Sequence, residues 1–225
     1  MSQTFDSVAE IHSHSQTKQR ILDAAEHLFS LHGFVATSLR QITRDAKVNL
    51  AAINYHFQSK ESLILAVLMR KIGPINRRRL ELLDQLESTG QPLVLEDVLH
   101  AFFAPLFDAR RAGASLSNFP KLMGRAYTEP GDWMQRLFPQ AFAPVVSRFG
   151  AALRSALGGA DVTELMWGMH FAIGSLVHFT AAGPLLAFIS DGKADPEDFD
   201  GALCRLIRYT ASGLRALAAQ QEAAR

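Results

Sequence analysis

Residues 37–60 constrain the fold of this chain most, because two helix-forming patterns there are joined by a very short turn. One helix is predicted over residues 38–46, residues 47–48 form the turn, and Asn49 caps a second helix over residues 50–57. So short a connection sets the second helix steeply across the first. This is the geometry of a helix-turn-helix, and we expect the rest of the fold to support it.

A third, amphipathic helix is predicted just before this segment, over residues 17–32, because apolar side chains recur there at helical spacing. Either Thr37 or Ser38 is expected to cap the helix that follows. The three helices together predict an N-terminal domain over residues 17–62. Residues 1–16 lack the charged start and apolar core of a signal peptide and are predicted to be a disordered tail.

The remainder, residues 63–225, is predicted to be a second helical domain. The 48% hydrophobic content of the chain is ample for a sizeable core, and no alternation typical of strands appears. We therefore expect an all-α protein of about nine helices. The further helices are predicted over residues 60–86, 93–111, 119–127, 133–157, 161–182 and 197–219.

Charge is distributed unevenly along the chain, although the net charge is only +1. Residues 17–60 carry six Lys or Arg side chains and three acidic ones, which gives +3. Residues 161–225 carry five basic and eight acidic side chains, which gives −3. This asymmetry favours a basic functional region near the N-terminus and a neutral or acidic C-terminal region that contacts partners.

Residues 165–189 contain no Asp, Glu, Lys or Arg, so their length alone could span a bilayer. His170 and the Gly183-Pro184 break argue against a span, and no basic cluster flanks the stretch. We expect a helix buried on all sides and no membrane partner. The single cysteine and the absence of a signal peptide pattern predict a cytoplasmic location.

The run ILDAAEHLFSLHGFVATSLRQITRDAKVNLAAINYHFQSKESLILAVL, residues 21–68, resembles the N-terminal DNA-binding domain of the TetR family of bacterial transcriptional regulators. The resemblance depends on several motifs at fixed spacing: Gly-Phe after the first helix, Thr-Ser at the next start, Ile-x-x-x-Ala, and Tyr-His-Phe-x-Ser-Lys. It implies an N-terminal helix-turn-helix domain that binds double-stranded DNA beside the nucleoid. It also implies a helical C-terminal domain that dimerises and binds a ligand.

Physical chemistry points to the same DNA-facing side chains. A recognition helix needs small or polar side chains outward to enter the major groove, and helix N-termini and short polar side chains bind phosphates. The resemblance implies that Arg40 reaches a base, and Asn54 is suited to adenine. The predicted DNA-binding residues are Thr37, Ser38, Arg40, Leu50, Ala51, Ala52, Asn54, Tyr55, His56 and Lys60.

Three features depart from the family pattern. Lys47 stands where the turn usually has Gly, and a left-handed backbone there costs a non-Gly residue about 1 kcal/mol. Residues 50–52 are Leu-Ala-Ala, where polar residues are frequent, so contact with thymine methyl groups is favoured over hydrogen bonding. Asn54 stands where an aromatic residue is usual. These departures affect the operator sequence rather than the fold.

The last two helices are the expected homodimer interface. Gly168, Ala172, Gly174 and Ser175 permit close helix approach, and the apolar stripe that ends at Leu217 would supply the facing side. A two-fold dimer places two DNA-binding domains about one DNA turn apart, so a palindromic operator is predicted.

An effector pocket is expected among the large apolar side chains of the C-terminal half, or those side chains simply form the core. A looser resemblance to the PsrA-like, fatty-acid-responsive subgroup favours a fatty acid or acyl-CoA, with His170, His178 or Arg125 meeting a carboxylate. The predicted ligand-binding residues are Phe103, Phe107, Met123, Trp133, Phe142, Trp167, His170 and Phe171.

The sequence therefore predicts a ligand-responsive repressor released from its operator by a small apolar or amphipathic effector. A transcriptional activator, and a protein–protein module that has lost DNA binding, remain alternatives. No phosphate loop, nucleophile elbow or metal-ligand spacing is present, so neither an enzyme nor a cofactor is expected.

Overall fold

A computed structural model describes residues 3–111 and 118–223 of the chain. These residues form ten helices and no strand, so the all-α prediction is confirmed, with one helix more than expected. The helices are α1 (Gln3–His32), α2 (Leu39–Ala46), α3 (Leu50–Phe57), α4 (Lys60–Ser88), α5 (Leu95–Arg111), α6 (Phe119–Thr128), α7 (Trp133–Ala141), α8 (Ala143–Ala156), α9 (Val162–Ile189) and α10 (Phe199–Ala223).

The additional helix arises where a single helix is predicted over residues 133–157. The chain breaks at Phe142, and Pro144 stands in the first turn of α8. Proline lacks a backbone N–H and clashes with the preceding turn, but it is tolerated where a helix begins. The break at Phe142 is therefore a new helix start rather than a kink.

α1 begins at Gln3 and runs without interruption to His32, through the residues for which a disordered tail is predicted. The predicted helix start at residue 17 is therefore corrected to Gln3. Once a helix is nucleated, each further residue adds one hydrogen bond at little cost, and residues 3–16 contain neither Gly nor Pro to stop it.

The chain divides into two compact units, and the first comprises Met1–Ile72 together with Lys121–Phe138. Its core combines side chains from α1 to α4 with side chains of α6 and α7. Phe34 is fully buried and meets Phe29 and Trp133 edge-on, each at 5.5 Å between ring centroids. Further buried members are Ile21, Ala25, Ile42, Ile53, Phe57, Leu63, Ile64 and Leu68.

The second unit comprises Gly73–Pro120 together with Pro139–Arg225. α5 lies at its centre and packs against α8 and α10, because apolar residues occupy nearly all of its sides. The buried core includes Leu83, Leu99, Phe102, Phe103, Phe149, Leu153, Leu203 and Leu214.

α9 is not buried on all sides, which corrects the prediction for residues 165–189. Phe171 is 59% exposed and Phe188 is 80% exposed, whereas Ala172 and Leu176 are buried. The helix bends by 79° at Ala182, whose φ and ψ are not helical. Among the described residues no single helix is long and apolar enough to cross a membrane; only the bent pair Val162–Thr180 and Ala182–Ile189 reaches that length and composition.

The apolar stripe of α10 packs against α5 and α9 of its own chain. Leu203, Ile207 and Leu214 are buried in the core of the second unit. Gly168 of α9 allows this packing, since a Cβ there would lie 2.4 Å from Leu214 Cδ2. Much of this stripe is therefore core of the second unit, while Leu206 and Leu217 are only partly buried. The homodimer interface through the last two helices stays a prediction, and α9 has the larger exposed apolar face.

Candidate functional site

The start of α2 is fixed by a capping box. Ser38 is the N-cap: the Gln41 backbone N–H donates to Ser38 Oγ at 3.2 Å, and the Ser38 N–H donates to Gln41 Oε1 at 2.7 Å. Thr37, the alternative cap, is fully buried, and its hydroxyl donates to the Gly33 carbonyl at 2.7 Å. Thr37 therefore cannot reach a phosphate, which corrects its prediction as a DNA contact.

The turn between α2 and α3 is left-handed at Lys47, with φ 52° and ψ 49°. The Val48 N–H donates to the Thr43 carbonyl at 3.0 Å and completes the turn. Arg20 of α1 adds support that sequence reasoning missed, since its guanidinium donates to the carbonyls of Ala46 and Lys47. A cation at the end of α2 satisfies carbonyl groups that the helix leaves without partners.

α3 begins as predicted. The Ala52 backbone N–H donates to Asn49 Oδ1 at 2.9 Å, so Asn49 is the N-cap. Ile53 and Phe57 are buried and fix the inward face of the helix. Tyr55 is 72% exposed and Leu50 is 45% exposed, so both project from the opposite side.

The other predicted DNA-binding side chains lie on the same helix pair or at its border. Ala51, Asn54 and Arg40 are exposed, and Ala52 and His56 are half-buried. Lys60 is half-buried, and its Nζ donates to the Val35 carbonyl at 3.2 Å. Apart from Thr37, the predicted residues are thus accessible on one structural unit, and their contact with DNA stays a prediction.

Glu129, at the end of α6, is a residue that sequence reasoning missed. Its Oε2 accepts hydrogen bonds from the Phe34 and Val35 backbone N–H groups at 2.7 and 3.0 Å. Arg125, one turn earlier, donates to Glu129 Oε1 at 3.1 Å and to the Leu31 carbonyl at 3.2 Å. The pair holds α6 to the turn before α2. No local pattern signals such a contact, because it joins positions that are distant in the chain.

The predicted ligand-binding residues do not form one group. Phe103 and Phe107 are buried in the core of the second unit, and Phe142 is half-buried at the start of α8. Met123 and Trp133 belong to the first unit. Trp167, His170 and Phe171 lie on the exposed face of α9, where the Trp167 and Phe171 rings stack at 5.7 Å.

The three residues proposed to meet a carboxylate are also placed apart. His170 and His178 are exposed on α9, and His178 lines an open groove of about 440 Å³ at the bend of that helix. Arg125 pairs with Glu129. None of them is a buried cation without an acidic partner.

Two family models match the chain. One, described as bacterial regulatory proteins of the tetR family, matches residues 21–67, and the other, described as the tetracyclin repressor-like C-terminal domain, matches residues 100–213. The second match alone covers half of the chain. The chain belongs to the TetR family. The resemblance seen in residues 21–68 is thereby confirmed, while the PsrA-like subgroup stays a prediction.

Curated TetR-type relatives match over part of their length. The transcriptional regulator AcrR of Shigella flexneri is 37% identical over 98 residues, which are 43% of this chain and 45% of AcrR. The A-factor receptor protein of Streptomyces griseus is 30% identical over 119 residues, which are 53% of this chain and 41% of the receptor. The chain thus spans less than half the length of either relative.

Solved structures share the TetR fold over most of the chain. A protein from Pseudomonas aeruginosa PAO1, assigned as a transcriptional regulator, has a TM-score of 0.63 at 16% identity and covers 89% of this chain and 93% of its own. FadR from Bacillus subtilis, solved in complex with stearoyl-CoA, has a TM-score of 0.55 at 16% identity and covers 89% and 97%. At this identity the likeness shows the fold alone.

Proposed function

We propose that this TetR-family protein is a DNA-binding transcriptional repressor that a small effector releases from a palindromic operator. The observation that carries the proposal is the outward face of α3. Tyr55 is 72% exposed on a helix whose other side is locked by the buried Ile53 and Phe57. An aromatic side chain so placed stabilises no core, but it suits contact with a phosphate at the edge of a groove.

The DNA interface would comprise the N-terminus of α2, the outward side of α3 and the start of α4. Arg40 would read a guanine and Asn54 an adenine, while Leu50 and Ala51 would contact thymine methyl groups. Ser38, Tyr55, His56 and Lys60 would position the domain on the backbone. The left-handed turn at Lys47, supported by Arg20, sets the angle between the two helices.

A homodimer would form through the last two helices, with α9 supplying most of the exposed apolar surface. Its exposed face carries Trp167, Phe171 and Val177, each at least 47% exposed, and large contiguous apolar patches mark protein interfaces. A two-fold axis through this face would relate two DNA-binding domains and hence predict a palindromic site. The protein would act in the bacterial cytoplasm beside the nucleoid.

The effector would be apolar or amphipathic, with a fatty acid or acyl-CoA favoured. The aromatic content of the second unit supports this, as does the fold shared with FadR of Bacillus subtilis. The effector would release the operator only if it binds the DNA-free conformation better than the bound one. An enzymatic activity is not proposed.

The proposal is tested by selecting genomic fragments with the purified protein and titrating salt on the selected duplex. We expect an affinity that falls steeply with salt, because Lys and Arg contacts release counterions. Arg40→Gln should cost about 1–3 kcal/mol and relax base preference at one position, and Tyr55→Ala should weaken all operators alike. Tyr127→Ala, exposed on α6, is the control.

A protein–protein module is the second candidate, because Leu50 is 45% exposed and begins an apolar Leu-Ala-Ala tip. Failure of the protein to bind any genomic fragment, with the fold and dimer mass intact, would favour this alternative and reject the repressor.

A further inference from the structure

Arg79 of α4 is a buried cation held by neutral groups. The residue is only 6% exposed and lies in the second unit. Its Nε donates to the Phe102 carbonyl at 2.7 Å, and its Nη1 donates to Asn76 Oδ1 at 2.9 Å. A guanidinium has five N–H donors, so these two hydrogen bonds to described residues use only two of them.

No carboxylate lies within ion-pair distance of Arg79 in the described ranges, 3–111 and 118–223. Arg70, Arg125 and Arg215, by contrast, each pair with Asp or Glu, although each is more exposed than Arg79. Burial lowers the pKa of Arg79 to about 10, because desolvation acts with no opposite charge nearby. The side chain is still a cation at neutral pH, and burying such a charge without an opposite charge costs several kcal/mol.

The surroundings fix the orientation of this guanidinium and give it an apolar border. Its Cζ lies 4.2 Å from the centre of the Phe102 ring, which in turn meets Phe149 edge-on at 5.2 Å. Asn76 is itself buried, and its Nδ2 donates to the Ala141 carbonyl at the end of α7. Arg79 is therefore held between α4, α5 and the end of α7, in a setting both cationic and aromatic.

We propose that Arg79 is the anion-recognition residue of the effector site, and that the effector is a small organic carboxylate with an apolar body. A guanidinium accepts a carboxylate through two parallel N–H···O bonds, and the aromatic side chains beside it suit an apolar remainder. This inference deepens the proposed function, whose effector it assigns to a chemical class. Arg79 takes the role that sequence reasoning gave to His170, His178 or Arg125.

The test compares acids with their amides, which have nearly the same shape and no charge. Binding of decanoate, decanamide, cinnamate and cinnamamide is measured by calorimetry on the wild type and on Arg79→Gln. We expect at least one acid to bind the wild type about 10- to 100-fold more tightly than its amide, because a buried charge-assisted hydrogen bond is at stake. Arg79→Gln should abolish this preference while leaving the affinity for the amide unchanged.

Arg77→Gln is the matched control, because Arg77 is exposed two positions earlier in the same helix. It should retain the wild-type preference. Arg79→Met covers the case in which Arg79→Gln does not fold, because the unbranched, flexible Met side chain can fill the apolar part of the site without a charge. Folding is checked by thermal unfolding without ligand.

Two results would overturn the proposal: neither acid binds the wild type more tightly than its amide, or the preference persists when Arg79 is replaced. A purely structural role would lower the unfolding temperature of both variants and leave the acid preference in place. Operator binding is measured separately on the same samples. Loss of DNA binding in every sample would reject the repressor, whereas the acid preference of the wild type would still decide the role of Arg79.

Discussion

The Glu129 carboxylate accepts a hydrogen bond from the Phe34 backbone N–H at 2.7 Å, across 95 positions of the chain. The contact lies within the first compact unit, which includes most of α6 and α7 as well as α1 to α3. That unit is therefore not continuous in sequence. The turn that precedes α2 is shaped partly by a carboxylate from the other half of the chain.

Glu129→Ala should lower the free energy of unfolding of the first unit by about 1.5–3 kcal/mol, because two backbone N–H groups lose a charged acceptor. Trp133 reports on this unit, and Trp167→Phe removes the only other tryptophan. Urea unfolding followed by Trp133 fluorescence in that background measures the change. Gln135→Ala, exposed on α7 in the same unit, should shift that free energy by less than about 0.5 kcal/mol, and equal shifts would reject the role of Glu129.

Lys47→Gly should stabilise the protein by about 0.5–1 kcal/mol. Lys47 has φ 52°, where a Cβ is strained, and Gly removes that strain at some cost in unfolded-chain entropy. Lys47→Ala deletes the same charge and keeps the Cβ, so it should give no such gain. Chemical denaturation of the three proteins decides the point. An equal gain in both variants would show that charge, not backbone strain, is responsible.

Gly168→Ala should destabilise the protein by about 1–3 kcal/mol, because the added methyl would lie 2.4 Å from Leu214 Cδ2 in a packed core. Gly150→Ala is the matched change on α8, where nothing lies within 4 Å of the new Cβ. It should stabilise by about 0.5–1 kcal/mol through helix propensity. The difference between the two thermal unfolding midpoints measures the close approach of α9 to α10.

The Arg215–Glu96 pair predicts a small pH-dependent contribution to stability. Both terminal guanidinium nitrogens of Arg215 donate to the Glu96 carboxylate, at 2.7 and 2.8 Å, and this lowers the pKa of Glu96 below its usual 4.5. A carboxyl whose pKa is lowered by folding stabilises the protein above the unfolded value. That stabilisation is lost as the pH falls through the folded value.

Because both side chains are exposed, Arg215→Gln should cost only about 0.5–1 kcal/mol at neutral pH. The cost should shrink as the pH falls below 4.5, where Glu96 becomes protonated. Denaturation curves at several pH values test this, with Arg208→Gln, exposed on the same helix, as control. A cost that does not change with pH would show that Arg215 acts by packing alone.

Local chemistry was enough to predict the helix-turn-helix. The caps Ser38 and Asn49, the short turn and the inward residues Ile53 and Phe57 all act within a few positions, so their pattern is readable without a fold. The left-handed backbone at Lys47 was instead expected from the family pattern, in which Gly is usual at that position.

Burial across the chain was decided by the tertiary structure. Periodicity indicates which face of a helix packs against apolar groups, but it does not show whether those groups belong to the same chain or to another one. Much of the α10 stripe therefore proved to be core, and the uncharged α9 exposes Trp167 and Phe171. In the same way, Thr37 proved to be buried, whereas a serine or threonine before a helix usually reads as an accessible cap.

The sequence by itself determined the helices, most of their ends and the family, because hydrogen bonding within a helix and its caps depends on neighbouring residues. Only the tertiary structure decided which charged side chains have hydrogen-bond or ion-pair partners. It brought Glu129 to the Phe34 backbone and Arg20 to the end of α2, and it left Arg79 buried against neutral groups. Such pairs join residues far apart in the chain, where packing rather than sequence spacing sets the distance.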